Sequence, residues 1–170
     1  AFLKTNTVNE TGNSGADPTG DGTDARTDDG TAVAFSQARF NTAMQSIWRS
    51  SNERPSSYKC VLSEYQMDVA LGFVGNNNQR NTTSRTTISD DLEVYMTPWG
   101  KVEFIPSREC RARDVLILHP GMWTIYEARS MTPSDLAKTG DSEKKQLVWE
   151  WGLCSKNEIA SGAVFDNTTS

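Results

Sequence analysis

The chain has 170 residues, 36% of them hydrophobic, and a formal net charge of −5. That length supports one domain with a real core, while the acidic balance argues against a non-specific nucleic-acid binder, which needs clustered Lys and Arg to neutralise phosphates. No stretch approaches the ~20 apolar residues of a membrane helix, and the three widely spaced cysteines, Cys60, Cys110 and Cys154, fit reduced thiols better than a disulfide framework.

Ala1 to Asn6 (AFLKTN) carries no initiator methionine, and Phe2 and Leu3 have no apolar partner upstream; the expectation is a piece of a longer polypeptide. Thr7 to Thr31 is almost wholly Gly, Asp, Thr, Asn and Ser. Such a stretch cannot bury enough apolar area to offset its ordering entropy, so 1–34 reads as a polar linker. The competing reading is calcium: Asp17, Thr19, Asp21, Gly22 and Asp28 fall at positions one, three, five, six and twelve of a calcium loop. No amphipathic helix flanks it, and Asp stands where a bidentate Glu belongs. No metal or other cofactor is assigned.

The spacing predicts a helix over 32–50. Phe40, Ala43, Met44, Ile47 and Trp48 form one apolar stripe, with Ser36 as N-cap and Arg49 at the negative end of the helix dipole. Trp48 is expected in the core. Tyr58 to Leu62 reads as a short strand, with Cys60 a small core residue. Ser63-x-x-Gln66 reads as a capping box opening a helix whose Met67, Ala70, Leu71 and Val74 face inward. Asn76 to Ser89 reads as an exposed loop, of a length at which loops tend to be functional or mobile. Its Arg80 and Arg85 are weak phosphate candidates.

Asp91 to Pro120 reads as three strands. Leu92, Val94 and Met96 alternate with polar neighbours, the period that sets one face of a strand on a core. Thr97-Pro98-Trp99-Gly100 reads as a tight turn, Lys101 to Ile105 as the returning strand stopped by Pro106, and Val115 to Leu118 as a strand buried on both faces. Arg108, Glu109, Arg111, Arg113 and Asp114 form a mixed-sign cluster, either a solvated loop or a site of inter-subunit ion pairing. His119 stands alone at a strand end, without the paired groups that catalysis needs. Met122 to Ala128 reads as a strand, Pro133 to Ala137 as a helical turn and Lys138 to Asp141 as a turn. Lys144 to Lys156 alternates most strongly, with Leu147, Trp149, Trp151 and Leu153 on one face. So much apolar surface must pack against a sheet or helix, either of this chain or contributed by sequence outside it.

From about Phe35 to Ser170 the chain resembles the C-terminal part of the SU-ten-like major capsid (major head) proteins of tailed bacteriophages, of the Hong Kong 97-type fold. The resemblance rests on VYMTPWGKVEFIPSRECRARDVLILHPGMW, LAKTGDSEKKQLVWEWGLCSKNE and ASGAVFDNTTS in that order and spacing. Each is weak alone; the combination is specific. AFLKTN resembles the segment after the family's spine helix, so that helix, the N-terminal arm and the extended loop would precede Ala1.

The resemblance implies an α+β fold. Residues 35–143 would form an axial domain, a mixed sheet flanked by helices, and 144–170 a C-terminal strand returning to the peripheral domain. It implies a structural, non-enzymatic subunit that self-assembles into pentamers and hexamers around double-stranded DNA. That subunit would assemble in the host bacterial cytoplasm and reside in the virion. Its partners would be copies of itself, with decoration and portal proteins as further candidates, packaged DNA touched only non-specifically, and no membrane. The candidate interface residues are Arg108, Glu109, Arg111, Arg113, Asp114, Trp149 and Trp151. One alternative is a virion accessory or decoration domain binding a glycan or small ligand through Trp99. Another, an enzyme using Cys110 or Cys154 with His119, lacks a coherent triad.

Overall fold

Helix α1 (Gln37–Ser50) starts where Ser36 holds an extended φ of −139° and its hydroxyl accepts from the Arg39 amide at 3.4 Å. The computed structural model describes residues 3, 5–8, 32–53, 55–74, 94–137 and 140–169. The Asp17–Asp28 calcium reading, the 76–89 loop with Arg80 and Arg85, and Leu92 lie outside them. Residues 32–36 precede the helix rather than belong to it, because Val33 is engaged elsewhere: its amide donates to the Asp166 carbonyl at 2.9 Å and its carbonyl accepts from the Thr168 amide at 3.1 Å. The α1 stripe buries Phe40, Ala43, Met44 and Ile47. Trp48 departs from expectation and is 50% exposed. At 3.6 residues per turn it sits roughly 80° round from Phe40, at the edge of the buried arc.

The strands are β1 (Thr7–Val8), β2 (Tyr58–Leu62), β3 (Val94–Thr97), β4 (Gly100–Pro106), β5 (Val115–Leu118), β6 (Trp123–Asp135), β7 (Lys145–Ser155) and β8 (Gly162–Val164). Six of them form one sheet in the order β1-β8-β5-β2-β4-β3. It is mixed: β1 with β8 and β2 with β4 run parallel, the other pairs antiparallel. The fold is therefore α+β with a mostly sheet core. Thr7 and Val8, read as linker, are strand, because Val8 and the Asn6 carbonyl find partners in β8 and Phe165.

Period-two alternation sorts the sheet into two faces. Tyr58, Cys60, Leu62, Val102, Phe104, Val115 and Ile117 are buried together with the α1 stripe. Fully burying a side chain of this size contributes roughly 1.5–3 kcal/mol. Lys59, Lys101, Glu103, Leu116 and Leu118 occupy the second face and are only partly buried. On β3 the expected face is inverted. Tyr95 packs on the core, in edge contact with Phe40 at 6.0 Å, whereas Met96 is 72% exposed. Tyr95 pairs with Val102 of the core face, and this register decides which β3 face turns inward. The Thr97–Gly100 turn forms as expected. Gly100 has φ 155°, and a Cβ there would meet the Tyr58 ring at 3.1 Å, so both conformation and space require glycine.

Helix α2 (Glu64–Leu71) begins after Ser63, but the capping box does not form. The Ser63 side chain makes no cap bond and donates instead to the Ala112 carbonyl at 3.2 Å. Gln66 also donates to Ala112, at 3.1 Å. This loop carbonyl competes successfully with the helix N-terminus for both side chains. Ala70 is buried, and Met67, Val69 and Phe73 pack against the core.

By contacts the chain divides into residues 1–120 with 157–170, and residues 121–156. The second unit is a two-stranded antiparallel ribbon of β6 and β7, in register from Trp123↔Ser155 to Asp135↔Lys145. Its Pro133 pairs with Leu147 inside β6, so no helical turn forms at 133–137. Register shifts between Glu127 and Thr132 supply the bulges near which a two-stranded ribbon tolerates proline. The boundary drawn at 143/144 from sequence falls inside this ribbon. Among the described residues, no helix is long and apolar enough to cross a membrane.

Candidate subunit interface

The first candidate surface is the 107–114 connection between β4 and β5. Arg108, Glu109 and Arg111 are exposed, Arg113 is half-buried and Asp114 is buried. The mixed-sign cluster is thus split, three charges outward and two inward. Arg111 Nη1 lies 4.0 Å from Asp114 Oδ2, a weak tie for an exposed cation. Turns fix the connection locally: the Cys110 amide donates to the Ser107 carbonyl at 3.3 Å and the Asp114 amide to Arg111 at 3.0 Å. Beside it an open depression of about 600 Å³ is lined by Ser63, Glu64, Tyr65, Pro106, Ser107, Arg108, Cys110, Ala112 and Thr169.

The side chains that hold this connection escaped the sequence reading. Gln66 and Asn167 are fully buried, yet polar residues in a helix and a polar tail carry no periodic signal. Gln66 was visible only as a capping partner.

The second candidate surface is the apolar face of the ribbon. Ile125 pairs with Leu153, and Trp151 lies across from Glu127. Trp149 and Trp151 pack at 5.4 Å between ring centroids, and Trp149 Nε1 donates to Glu127 Oε1 at 3.2 Å. The alternation predicted this face correctly. Its large side chains remain open, with Leu147 61%, Trp149 41% and Trp151 51% exposed. Arg129 and Glu150 pair at 3.5 Å. They are cross-strand partners out of phase with Trp149 and Trp151, so the ribbon is amphipathic. A contiguous open apolar face of this kind is a candidate interaction surface.

The remaining candidates resolve into structural roles. His119 is buried, with its amide on Ser161 Oγ at 3.1 Å and its ring edge-on to Tyr58 at 6.2 Å. Cys110 donates to the Asp114 carbonyl at 3.4 Å, and burial, then the Asp114 charge, raises its pKa. That is opposite to the activation a nucleophilic thiol requires. Cys60 is wholly buried and shifts upward for the same first reason. The cysteines are free thiols. Trp99, the residue on which the glycan reading rested, is partly buried against the core. Among the described residues, no group of three or more His, Cys, Asp and Glu is placed to hold a metal ion.

In comparison with known families, the model described as SU10 major capsid protein matches residues 1–168. No curated protein matches the chain.

Proposed function

The chain belongs to the SU10 major capsid protein family and is a structural subunit of a bacteriophage capsid, and we propose that it follows the Hong Kong 97-type plan, closing into pentamers and hexamers around double-stranded DNA. Its place is the virion, and its first partner is its own kind. Assembly in the host bacterial cytoplasm, contacts with portal and decoration proteins, and non-specific contact with packaged DNA belong to the same proposal. We read the chain as non-enzymatic on the strength of the family.

In this reading the six-stranded sheet with α1 and α2 is the axial domain. The strand from Lys144 belongs to the peripheral domain, together with β6, its ribbon partner. Repeated heterologous contacts close such subunits into rings. The 107–114 connection, with Arg108, Glu109 and Arg111 outward, supplies one such contact. The Trp149/Trp151 face supplies the second and is covered in the assembled shell. The observation that carries the reading is the family match over 1–168; the open ribbon face supports the contact. The test is electron microscopy of the expressed subunit beside its Trp149→Ser/Trp151→Ser variant. Shells from the parent and unassembled, folded protein from the variant are expected. Normal shells from the variant would contradict the ribbon assignment.

A further inference from the structure

The 107–114 connection is fastened from beneath by side chains of two other segments. Two consecutive carbonyls, of Ala112 and Arg113, accept four bonds, while the Ser107 amide separately donates to the Leu62 carbonyl at 2.9 Å. The Ala112 carbonyl takes Ser63 Oγ at 3.2 Å and Gln66 Nε2 at 3.1 Å. The Arg113 carbonyl takes both the backbone amide of Asn167, at 3.1 Å, and its Nδ2, at 2.8 Å. Each carbonyl oxygen has two lone pairs, so both positions are saturated. Gln66 Nε2 also donates to the Thr168 carbonyl at 2.7 Å, so one amide nitrogen joins connection and tail. The tail is pinned on its other side: Val33 brackets it through Asp166 and Thr168, and Arg39 Nη2 donates to the Phe165 carbonyl at 2.7 Å. Asp166 adopts φ 56° where the tail turns, a left-handed conformation that Asp accepts more readily than most residues.

We propose that Asp166–Thr168 and Gln66 form a clasp that positions the 107–114 connection for contact with a neighbouring copy, making Gln66 and Asn167 positioning residues for assembly. The inference rests on the reading of that connection as a subunit contact. Its physical basis is specificity. Apolar side chains at 66 and 167 would fill the same space without the desolvation cost of two buried amides. Buried amides bonded to chosen carbonyls instead select one backbone path. Here that path turns the Ala112 and Arg113 carbonyls inward and leaves Arg111 outward. The clasp also ties the connection to the segment entering α1.

Backbone amide exchange of the unassembled subunit, followed by shell yield in electron microscopy, tests this on Gln66→Met and Asn167→Leu. The Cys110 and Asp114 amides should exchange at least tenfold faster, the β2–β5 ladder amides should not change, and shell yield should fall at least tenfold. If Asn167→Leu does not fold, Asn167→Ser, which keeps one donor, should give an intermediate exchange rate. Equal acceleration of connection and ladder amides, or no acceleration at the connection, overturns the clasp. Arg111→Glu separates the two readings. If it lowers shell yield while the clasp variants do not, the clasp has no part in assembly and the contact reading survives. If it leaves yield intact, the contact reading fails and the clasp's assembly role with it.

Discussion

Gly162 lies against the backbone of Asn6: a Cβ on Gly162 would stand 2.7 Å from the Asn6 carbonyl oxygen and 2.9 Å from Ile47 Cδ1. Both neighbours are constrained. The Asn6 carbonyl accepts the Ala163 amide at 3.0 Å, and Ile47 is fully buried. Overpacking at such a contact costs about 1–3 kcal/mol. Gly162→Ala should lower the urea midpoint with an unchanged slope. An unchanged midpoint would show that β8 and α1 separate more easily than their packing indicates.

Asn6 itself joins three segments. Its Oδ1 accepts from Ser46 and Ser50, each at 2.8 Å, and its Nδ2 donates to the Ile159 carbonyl at 2.5 Å and to Ser161 at 3.3 Å. A net hydrogen bond contributes about 1 kcal/mol and an orphaned buried partner costs more, so Asn6→Ala should lose about 2–4 kcal/mol. Ser46→Ala alone should lose less than half as much, since Ser50 still fills the site. Thermal denaturation of the two variants checks the ratio.

Glu103 on the second face of the sheet titrates abnormally. The Lys59 ammonium bonds it directly, Ser57 adds a second bond, and together with the Lys101 charge they lower its pKa from 4.5 to about 2. The folded value lies below the unfolded one. The contribution to stability is therefore complete above about pH 4.5 and fades as pH falls toward 2. Lys59→Met should raise the Glu103 midpoint toward 4.5 in a carboxyl-carbon NMR titration. A midpoint that stays put would assign the shift to other groups.

The ribbon tryptophans should report assembly. Trp149 and Trp151 are about half open in the single chain, and covering an indole moves its emission to shorter wavelength. Emission should shift blue as shells form, and the Trp149→Phe/Trp151→Phe variant should lose most of that shift. A full shift in the variant would place the covered indoles elsewhere.

Period-two patterning made β7 legible, a short apolar run made β5 legible, though only Val115 and Ile117 are buried and not both faces, and the Pro-Trp-Gly turn made the β3–β4 hairpin legible. What stayed hidden is set by long-range competition. β1 is two residues at the edge of a polar tract and exists only because β8 lies beside it. Tyr95 rather than Met96 faces inward because β4 fixes the register. Ser63 and Gln66 match a local cap, but a loop carbonyl 46 residues from Gln66 takes the bond. The charged connection was legible as a cluster, but not its split between Arg111 outward and Asp114 inward. Asn167, at the end of a polar tail, gives no local sign that it is buried.

Cryo-electron microscopy of the native particle, with quantitative mass spectrometry of the same sample, tests the central claim most directly. The account predicts that this chain forms the repeating shell. The six-stranded sheet unit and the β6–β7 ribbon should each fit every pentameric and hexameric position, with the Trp149/Trp151 face covered. A shell whose repeating density accommodates neither unit, or a chain present in only a few copies per particle, would contradict it.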